Sequence, residues 1–519
     1  MPDRTILAID LGTSHVKAAL VREDGRIEAC ATRTIEVLYP KPGWAEQDPE
    51  GWWQAITSAA QELWAGAPGR AAGVQSVVFT CQMFGVLPVD ADGKPLSHAM
   101  IWLDTRSAEQ ARAMTSGFPK VSGYGAWRLL KWLRLTNGAP NLAGRDTISK
   151  YMWLREKRPD IWRQTHKLLD VKDYLVFRCT GRTVCTYDAA SGGWLFDTHK
   201  DRLRWSQPIL RMLDFDESKL PEVVKSTEIV GELGGQAAMD LGLRPGVPVA
   251  GGAGDVLSCA VGAGAVRDGA AHACLGTSSW LAAHADDRCV NPFAATGTLC
   301  AAEYQKYIVI ATQETAGASL EWARDTILGG AEAAPFDRVN ALADAAPPGS
   351  GGVYFLPWMM GERVPIDDAH MRGGFVNLAL DTETSHLVRA IYEGVAYNTR
   401  WAKGIVEGLI KQPIESLRIA GGGAQSDVWC QIMADVLEAR VERVIEPQFS
   451  GVRGAALMAR RALGEYASLE DTEGLVAVDR TFEPDTAARD LHAERFTQFT
   501  RFFKSARSWY RRTNRHLDD

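Results

Sequence analysis

The sequence predicts an α/β protein built as two similar domains facing each other across a cleft. Three observations carry this reading. The chain has 519 residues, too many for a single hydrophobic core. Strand-like apolar runs alternate with helical patterns whose apolar residues fall three to four apart. One device, a buried strand, a Gly-Thr-Ser turn and a returning strand, occurs twice, with its turns at 12–14 and 276–278. The Gly/Pro-rich stretch at 242–248 sets the expected boundary, giving domains at 1–247 and 248–519. Closure of the cleft is expected across residues 245–254.

Composition narrows the partner. The hydrophobic share is 46%, the charged share 23% and the formal net charge -7. That balance gives no electrostatic reason to bind nucleic acid or an anionic membrane, so a small molecule is expected. No apolar run is long enough to span a bilayer, and Met-Pro-Asp-Arg leads straight into a strand pattern, which points to the cytoplasm. The nine cysteines are scattered without Cys-x-x-Cys pairs, and the ten histidines lack ligand spacing. Reduced core cysteines and no protein-held transition metal are expected.

In chain order, residues 5–10 read as a buried strand, followed by a turn and a returning strand at 16–21. Backbone N–H groups around Gly12, with the hydroxyls of Thr13 and Ser14, suit a phosphate cradle. Asp10 could then hold Mg²⁺ through water, with Lys17 facing the phosphates. An ordinary tight turn reads equally from three residues. Asp48 as N-cap and Pro49 at the first position open a helix whose Trp52, Trp53 and Ile56 face the core. A strand at 74–80 runs into Gln82-Met83-Phe84-Gly85, and a second apolar run reaches Trp102-Leu-Asp104-Thr-Arg106. Gln82, Asp104 and Arg106 could bind a polyhydroxylated ligand against the flat face of Trp102, or Asp104 and Arg106 could be a structural ion pair. Residues 124–180 are mainly scaffold helices, with Trp127 and Leu130 on an amphipathic face.

The stretch at 248–264 places one carboxylate, Asp255, among small residues between a short strand and a small-residue helix. There it is suited to take a proton from a substrate hydroxyl, or it is only the helix cap. Past the second Gly-Thr-Ser turn, a strand at 417–420, the Gly421-Gly422-Gly423 loop and a helix form a nucleotide-site pattern. Bare backbone would meet the adenine or ribose, and a helix N-terminus would lie beside it. The tail from Phe496 to Tyr510 is an amphipathic helix whose Arg507, Arg511 and Arg512 form a solvated face.

Taken in order, Asp10-Leu-Gly-Thr-Ser, Gln82-Met83, Trp102-x-Asp104-x-Arg106, Gly252-x-Gly-Asp255 with Gly262-x-Gly264, Leu275-Gly-Thr-Ser and Gly421-Gly-Gly-Ala-x-Ser resemble the FGGY carbohydrate kinases. Phe355-Leu-Pro-Trp, Gly361-Glu-Arg-x-Pro365, Arg372-Gly373 and Lys150-Tyr-Met-Trp153-Leu extend the likeness, nearest to the xylulokinases. The resemblance implies the duplicated ribonuclease-H-like fold of actin and hexokinase, a hinged cleft, ATP and Mg²⁺. It makes Asp255 the catalytic base and sets Asp10 and Asp255 at the metal. Gly12, Thr13, Ser14, Lys17, Gly276, Thr277 and Ser278 are assigned to the phosphates. Gln313, Gly422, Gly423 and Asp427 are assigned to the rest of the nucleotide. Gln82, Met83, Phe84, Trp102, Asp104 and Val256 would line the sugar. Xylulokinases usually carry Gln-Met-His-Gly and Asp-Asn where this chain has Phe84 and Val256, so both sugar-facing polar groups are missing. The expected partners are ATP, a small sugar or polyol and, in a homodimer, a second copy. The alternatives are a kinase for another ketose or for an erythritol- or ribitol-type polyol, and a non-catalytic sugar or nucleotide switch.

Overall fold

The computed structural model describes residues 4–67, 69–292, 294, 296–364 and 367–515. Two large sheets carry the architecture. The first contains β1 (Thr5–Leu11), β2 (His15–Val21), β3 (Ile27–Thr34), β4 (Val74–Cys81), β5 (Ile229–Glu232), β6 (Pro248–Ala250) and β7 (Ala253–Gly254). Its order is β5-β6-β4-β1-β2-β3, with β7 also on β4. The second contains β8 (Ala271–Leu275), β9 (Ser279–Ala285), β10 (Val290–Asn291), β11 (Thr296–Cys300), β12 (Tyr307–Gln313), β13 (Ser416–Ala420), β14 (Arg440–Val444) and β15 (Val478–Phe482). Its order is β10-β11-β12-β9-β8-β13-β14-β15.

The two sheets share one plan. β1 pairs antiparallel with β2 and parallel with β4, and β2 pairs antiparallel with β3. β8 pairs antiparallel with β9 and parallel with β13, and β9 pairs antiparallel with β12. Each Gly-Thr-Ser turn therefore joins equivalent central strands, which is the duplicated ribonuclease-H-like arrangement.

The helices that matter here are α1 (Pro49–Ala65), α2 (Val171–Thr180), α3 (Tyr187–Gly192), α4 (Asp255–Gly262), α5 (Thr384–Ile410), α6 (Asp427–Leu437), α7 (Ser450–Ala462) and α8 (Arg489–Thr513). α1 begins as expected: the Asp48 carboxylate accepts from the Glu50 N–H and Pro49 opens the first turn. The central strands β1, β4 and β8 are buried on both faces, so their alternation sorts residues between cores. Leu7 and Ile9 join Trp52, Trp53 and Ile56 on the outer face of the first sheet. Ile6 and Ala8 point inward and meet Leu257 of α4 and Val452, Ala455 and Ala456 of α7, which also touch Cys274 and Ala420 of the second sheet. α4 and α7 thus fill the space between the sheets.

These two helices cross at backbone contact. A Cβ at Gly262 would lie 1.7 Å from the Ser450 carbonyl oxygen, and one at Gly454 would lie 1.8 Å from that of Ser258. Only glycine permits this approach.

Three expectations change. The stretch at 245–254 is no free connector: β6 and β7 pair with β4, and the Gly251 and Gly252 N–H groups donate to the Glu228 and Ser226 carbonyls. The first domain therefore runs past 247 and includes α4, and the crossing into the second sheet falls at 263–270. Trp127 and Leu130 are exposed, and the buried residues of the helix Ala126–Thr136 are Trp132 and Thr136. Arg507 and Arg511 are no free solvated face: both pair with the buried Asp368 carboxylate, at 2.6 and 3.1 Å. Among the described residues no helix is long and apolar enough to cross a membrane.

Candidate active site

Strand ends and helix starts converge on the cleft. Asp255 is the first residue of α4; Gly254 is its N-cap, so the carboxylate does not serve as the cap. One oxygen accepts from the Val256 N–H at 2.8 Å, and the turn behind is fixed by Asp188, whose carboxylate accepts from the Gly254 N–H at 2.8 Å and from Ser226 Oγ at 3.2 Å. Burial and the negative charge of Asp10 push the Asp255 carboxyl up to about 7. A carboxyl tuned to that value can accept a proton at neutral pH and hold it.

Asp10 is the penultimate residue of β1 and stands opposite Lys17 in the hairpin register. Burial raises its carboxyl above the ordinary carboxylate value, and Lys17 partly offsets this. A Cβ on Gly451 would come within 3.0 Å of Asp10 Oδ2, so the carboxylate abuts the N-terminal turn of α7, where the helix dipole favours negative charge. Lys17 Nζ donates to the Gln448 carbonyl at 3.2 Å in the same segment.

The first Gly-Thr-Ser turn is tied to the sugar-facing strand ends by a buried network. Trp102 Nε1 donates to Thr13 Oγ1 at 2.9 Å, and Gln47 Nε2 donates to the Thr13 carbonyl at 2.7 Å. Gln47 Oε1 accepts from Gln82 Nε2 at 2.7 Å and from Trp52 Nε1 at 3.1 Å. Gln47 was not singled out in the sequence; its place in the strand entering the Asp48 cap is the signal that could have found it. Ser14 and Thr277 are exposed, and Gly12, Thr13, Lys17, Gly276 and Ser278 are partly so. The second turn is held by backbone: the Ala316 and Ala318 N–H groups donate to the Thr277 carbonyl, and that of Gly317 to the Gly276 carbonyl.

The Gln82–Phe84 segment meets α4. A Cβ on Gly254 would strike Met83 Sδ at 2.4 Å, and Phe84, Val256 and Trp194 pack on the apolar cluster that holds Met83 and Leu257. Phe84 is partly exposed rather than core, and its ring lies on Gly192, where a Cβ would come within 2.7 Å. Across the cleft the Arg363 guanidinium sits 6.0 Å from the Trp102 ring centre, paired with Glu314 at 2.9 Å; Arg145 of the first half also pairs with Glu314, at 2.6 Å. Arg145, Glu314 and Asp188 were not foreseen either. Pro365, which closes the Gly361-Glu-Arg-x-Pro stretch, lies outside the described residues.

The triple-glycine loop lies beside the second turn. Gly421 has φ 90° and a Cβ there would clash with the Leu275 carbonyl at 2.5 Å, whereas nothing lies within 4 Å of a Cβ on Gly422. Gly422 and Gly423 belong to a short 3₁₀ turn, and Ser426 caps α6 by accepting from the Trp429 N–H.

Two assignments fail on geometry. Asp104 is fully buried: Arg106 chelates it through Nε and Nη2, and its Oδ2 accepts from the Ala45 N–H at 2.8 Å. It is the structural ion pair, with Arg106 also bound to Glu46 at 2.7 Å and stacked 3.6 Å from the Trp44 ring centre. Gln313 is fully buried opposite Ser279 in the sheet register and donates to Thr399 Oγ1 of α5 at 2.6 Å, so its amide is engaged within the core. Asp427, half-exposed at the start of α6, is engaged by Arg443 and Arg480.

Asp10 and Asp255 offer hard oxygen donors, and Asp10 raises Asp255, a pairing that a divalent ion would relieve. Among the described residues no three His, Cys, Asp or Glu side chains gather as ligands. Two carboxylates suit an ion that takes most of its ligands from phosphates and water.

Two ribonuclease-H-like domains, each with a Gly-Thr-Ser turn on equivalent strands, and the Asp255 carboxyl raised by Asp10 put the chain in the structural class of actin and hexokinase. Residues 5–262 match the N-terminal domain of the FGGY family of carbohydrate kinases, and residues 271–463 match its C-terminal domain. The chain belongs to that family and is a sugar kinase. It is 30% identical to the xylulose kinase of Escherichia coli K12, over 96% of this chain and 98% of that one. To the L-xylulose/3-keto-L-gulonate kinase of the same organism it is 28% identical, over 98% and 99% of the two chains. The solved structure described as a xyloylose kinase from Brucella ovis superposes with a TM-score of 0.85 at 29% identity, over 97% of this chain and 100% of that one.

Proposed function

We propose that the chain transfers the γ-phosphate of ATP to a hydroxyl of a ketopentose, xylulose first, with Asp255 as general base. The observation that carries this is the Asp255 carboxyl, raised to about 7 at the start of α4 by burial and by Asp10 of the strand that leads into the first Gly-Thr-Ser turn. A substrate hydroxyl held against Trp102 and the Met83–Phe84 wall, which Gln82 braces through Gln47, would give its proton to Asp255 as its oxygen bonds to the γ-phosphorus and ADP leaves, and the two turns would hold the phosphates in line. Thr13, fixed by Trp102 and Gln47, orients its hydroxyl and the N–H groups of its turn. Gly422 leaves open backbone for the adenosine. Asp10 and Asp255 would hold Mg²⁺, which when bound neutralises charge on the phosphates. ATP and a free sugar place the reaction in the cytoplasm.

A second substrate reading rests on Phe84 and Val256. Both share one apolar cluster and present no donor, so the site discriminates hydroxyl patterns weakly. Other ketoses and four- or five-carbon polyols are then expected to be turned over as well. The test is ADP release across ketopentoses, ketohexoses and polyols, for the wild type, for Asp255→Asn, and for Phe84→His with Val256→Asn. The double variant is expected to sharpen selectivity. A wild type preferring D-xylulose by more than about a hundredfold would overturn the weak-selectivity reading, and no turnover of any of them would overturn the kinase assignment of the site.

A further inference from the structure

The wall at 82–85 has a backbone that its own sequence does not favour. Phe84 sits at φ 65°, in the left-handed region that a bulky L-residue avoids. Its N–H donates to Asp170 Oδ2 at 3.1 Å, and the next N–H, that of Gly85, donates to Asp170 Oδ1 at 2.8 Å. Its carbonyl accepts from Lys150 Nζ at 2.9 Å. All the polar backbone groups of the strained residue are thus held by two side chains. The same ammonium donates to the Ile101 carbonyl at 2.7 Å, one residue before Trp102.

Neither side chain is placed by chance. Lys150 is fully buried, where an ammonium is costly unless its protons are used. Asp170 also accepts from the Val171 N–H at 2.7 Å as the cap of α2, so a rigid helix end presents its carboxylate. The fit admits no slack: a Cβ on Gly85 would lie 2.5 Å from Val171 Cγ2 and 2.8 Å from Asp170 Oδ1.

We propose that Lys150 and Asp170 are positioning residues that hold the Phe84 backbone left-handed and lock the Phe84 and Trp102 walls of the sugar site to each other. The pair touches no substrate; it acts through the two walls. This rests on the reading that those walls face the sugar. Lys150 and Trp153 belong to the stretch that resembles a family signature, and the clamp supplies a physical reason for a lysine there.

Two variants of the full chain test it: Lys150→Met, which keeps the length and apolar stem, and Asp170→Asn, which keeps the shape and serves where the first folds poorly. Each is made with Phe84 and with Phe84→Asn, since asparagine tolerates the left-handed region. The KM values for D-xylulose and for ATP are measured separately, together with amide hydrogen exchange over 82–86. Lys150→Met is expected to raise the xylulose KM about tenfold with the ATP KM within about twofold, to lower protection at Phe84 and Gly85, and to cost less in the Phe84→Asn background. Equal costs in both backgrounds, or the two KM values rising together with exchange unchanged, would overturn the clamp. Lost protection with an unchanged xylulose KM would overturn the proposal for this reaction and count against the sugar-facing reading of the wall. If the wild type does not turn over D-xylulose, it is the functional reading that fails, and exchange alone decides the clamp.

Discussion

The two Gly-Thr-Ser turns are the same hairpin put to different use. In the first, the strand delivers Asp10 opposite Lys17; in the second, the matching positions hold Cys274 opposite Trp280. The first turn is backed by side chains, Gln47, Gln82 and Trp102, and the second by backbone N–H groups of 316–318. Duplication supplied the frame twice, but charge and side-chain connectivity were elaborated in one copy only. The carboxylate chemistry therefore belongs to the first half, while the second offers a neutral cradle next to the glycine loop.

The largest expected effect comes from the group between the turns. Asp255→Asn should lower kcat by about 10² or more while sugar and nucleotide binding persist, because a positioned base is lost and asparagine still accepts the Val256 N–H. Near-normal turnover in steady-state assays would break the assignment. Next, Asp10→Asn should lower activity about 10- to 100-fold and raise the Mg²⁺ requirement, whereas Cys274→Ala at the equivalent position should change kcat/KM less than about twofold. Equal losses in the two variants would show that the copies did not diverge.

Gln47→Leu should cost about 1–3 kcal/mol in denaturant unfolding, because the Gln82 amide and the Thr13 carbonyl lose a buried partner, and it should raise the ATP KM through the first turn. Unchanged stability would mean water replaces it. A further effect concerns pH. The folded-state value of Asp255, about 7, lies above the unfolded aspartate value of about 3.9, so its ionised form destabilises the fold. That penalty is full above pH 7 and vanishes as pH falls to the unfolded value. Asp255→Asn should accordingly melt higher than wild type at pH 8, and the gap should close by about pH 4. A constant gap would place the shift elsewhere.

Much of this was legible in the sequence because it is local. A strand, a Gly-Thr-Ser turn and a return strand announce themselves within a dozen residues, as does a lone aspartate before a small-residue helix. What was hidden depends on distant partners. Asp104 read as ligand or ion pair until Arg106, Glu46 and the Ala45 N–H were seen around it. Gln313 ends a strand and looks available, yet α5, about eighty residues on, covers it. The glycines at 251–254 resemble a linker because a two-residue strand has no sequence pattern; only pairing with β4 reveals it. Gln47 drew no notice, since a network shared by distant segments leaves no periodicity.

The glycine crossing of α4 and α7 bears on how the molecule comes into being. The inner face of the first sheet is covered by α7, whose residues are synthesised nearly four hundred positions after β4. As the chain leaves the ribosome, Ile6, Ala8 and Val78 have only α4 to cover them while β8 to β14 of the second sheet are made. Neither half is then a detachable module, and severing the chain between them should leave a first half that aggregates unless the second is supplied in the same tube.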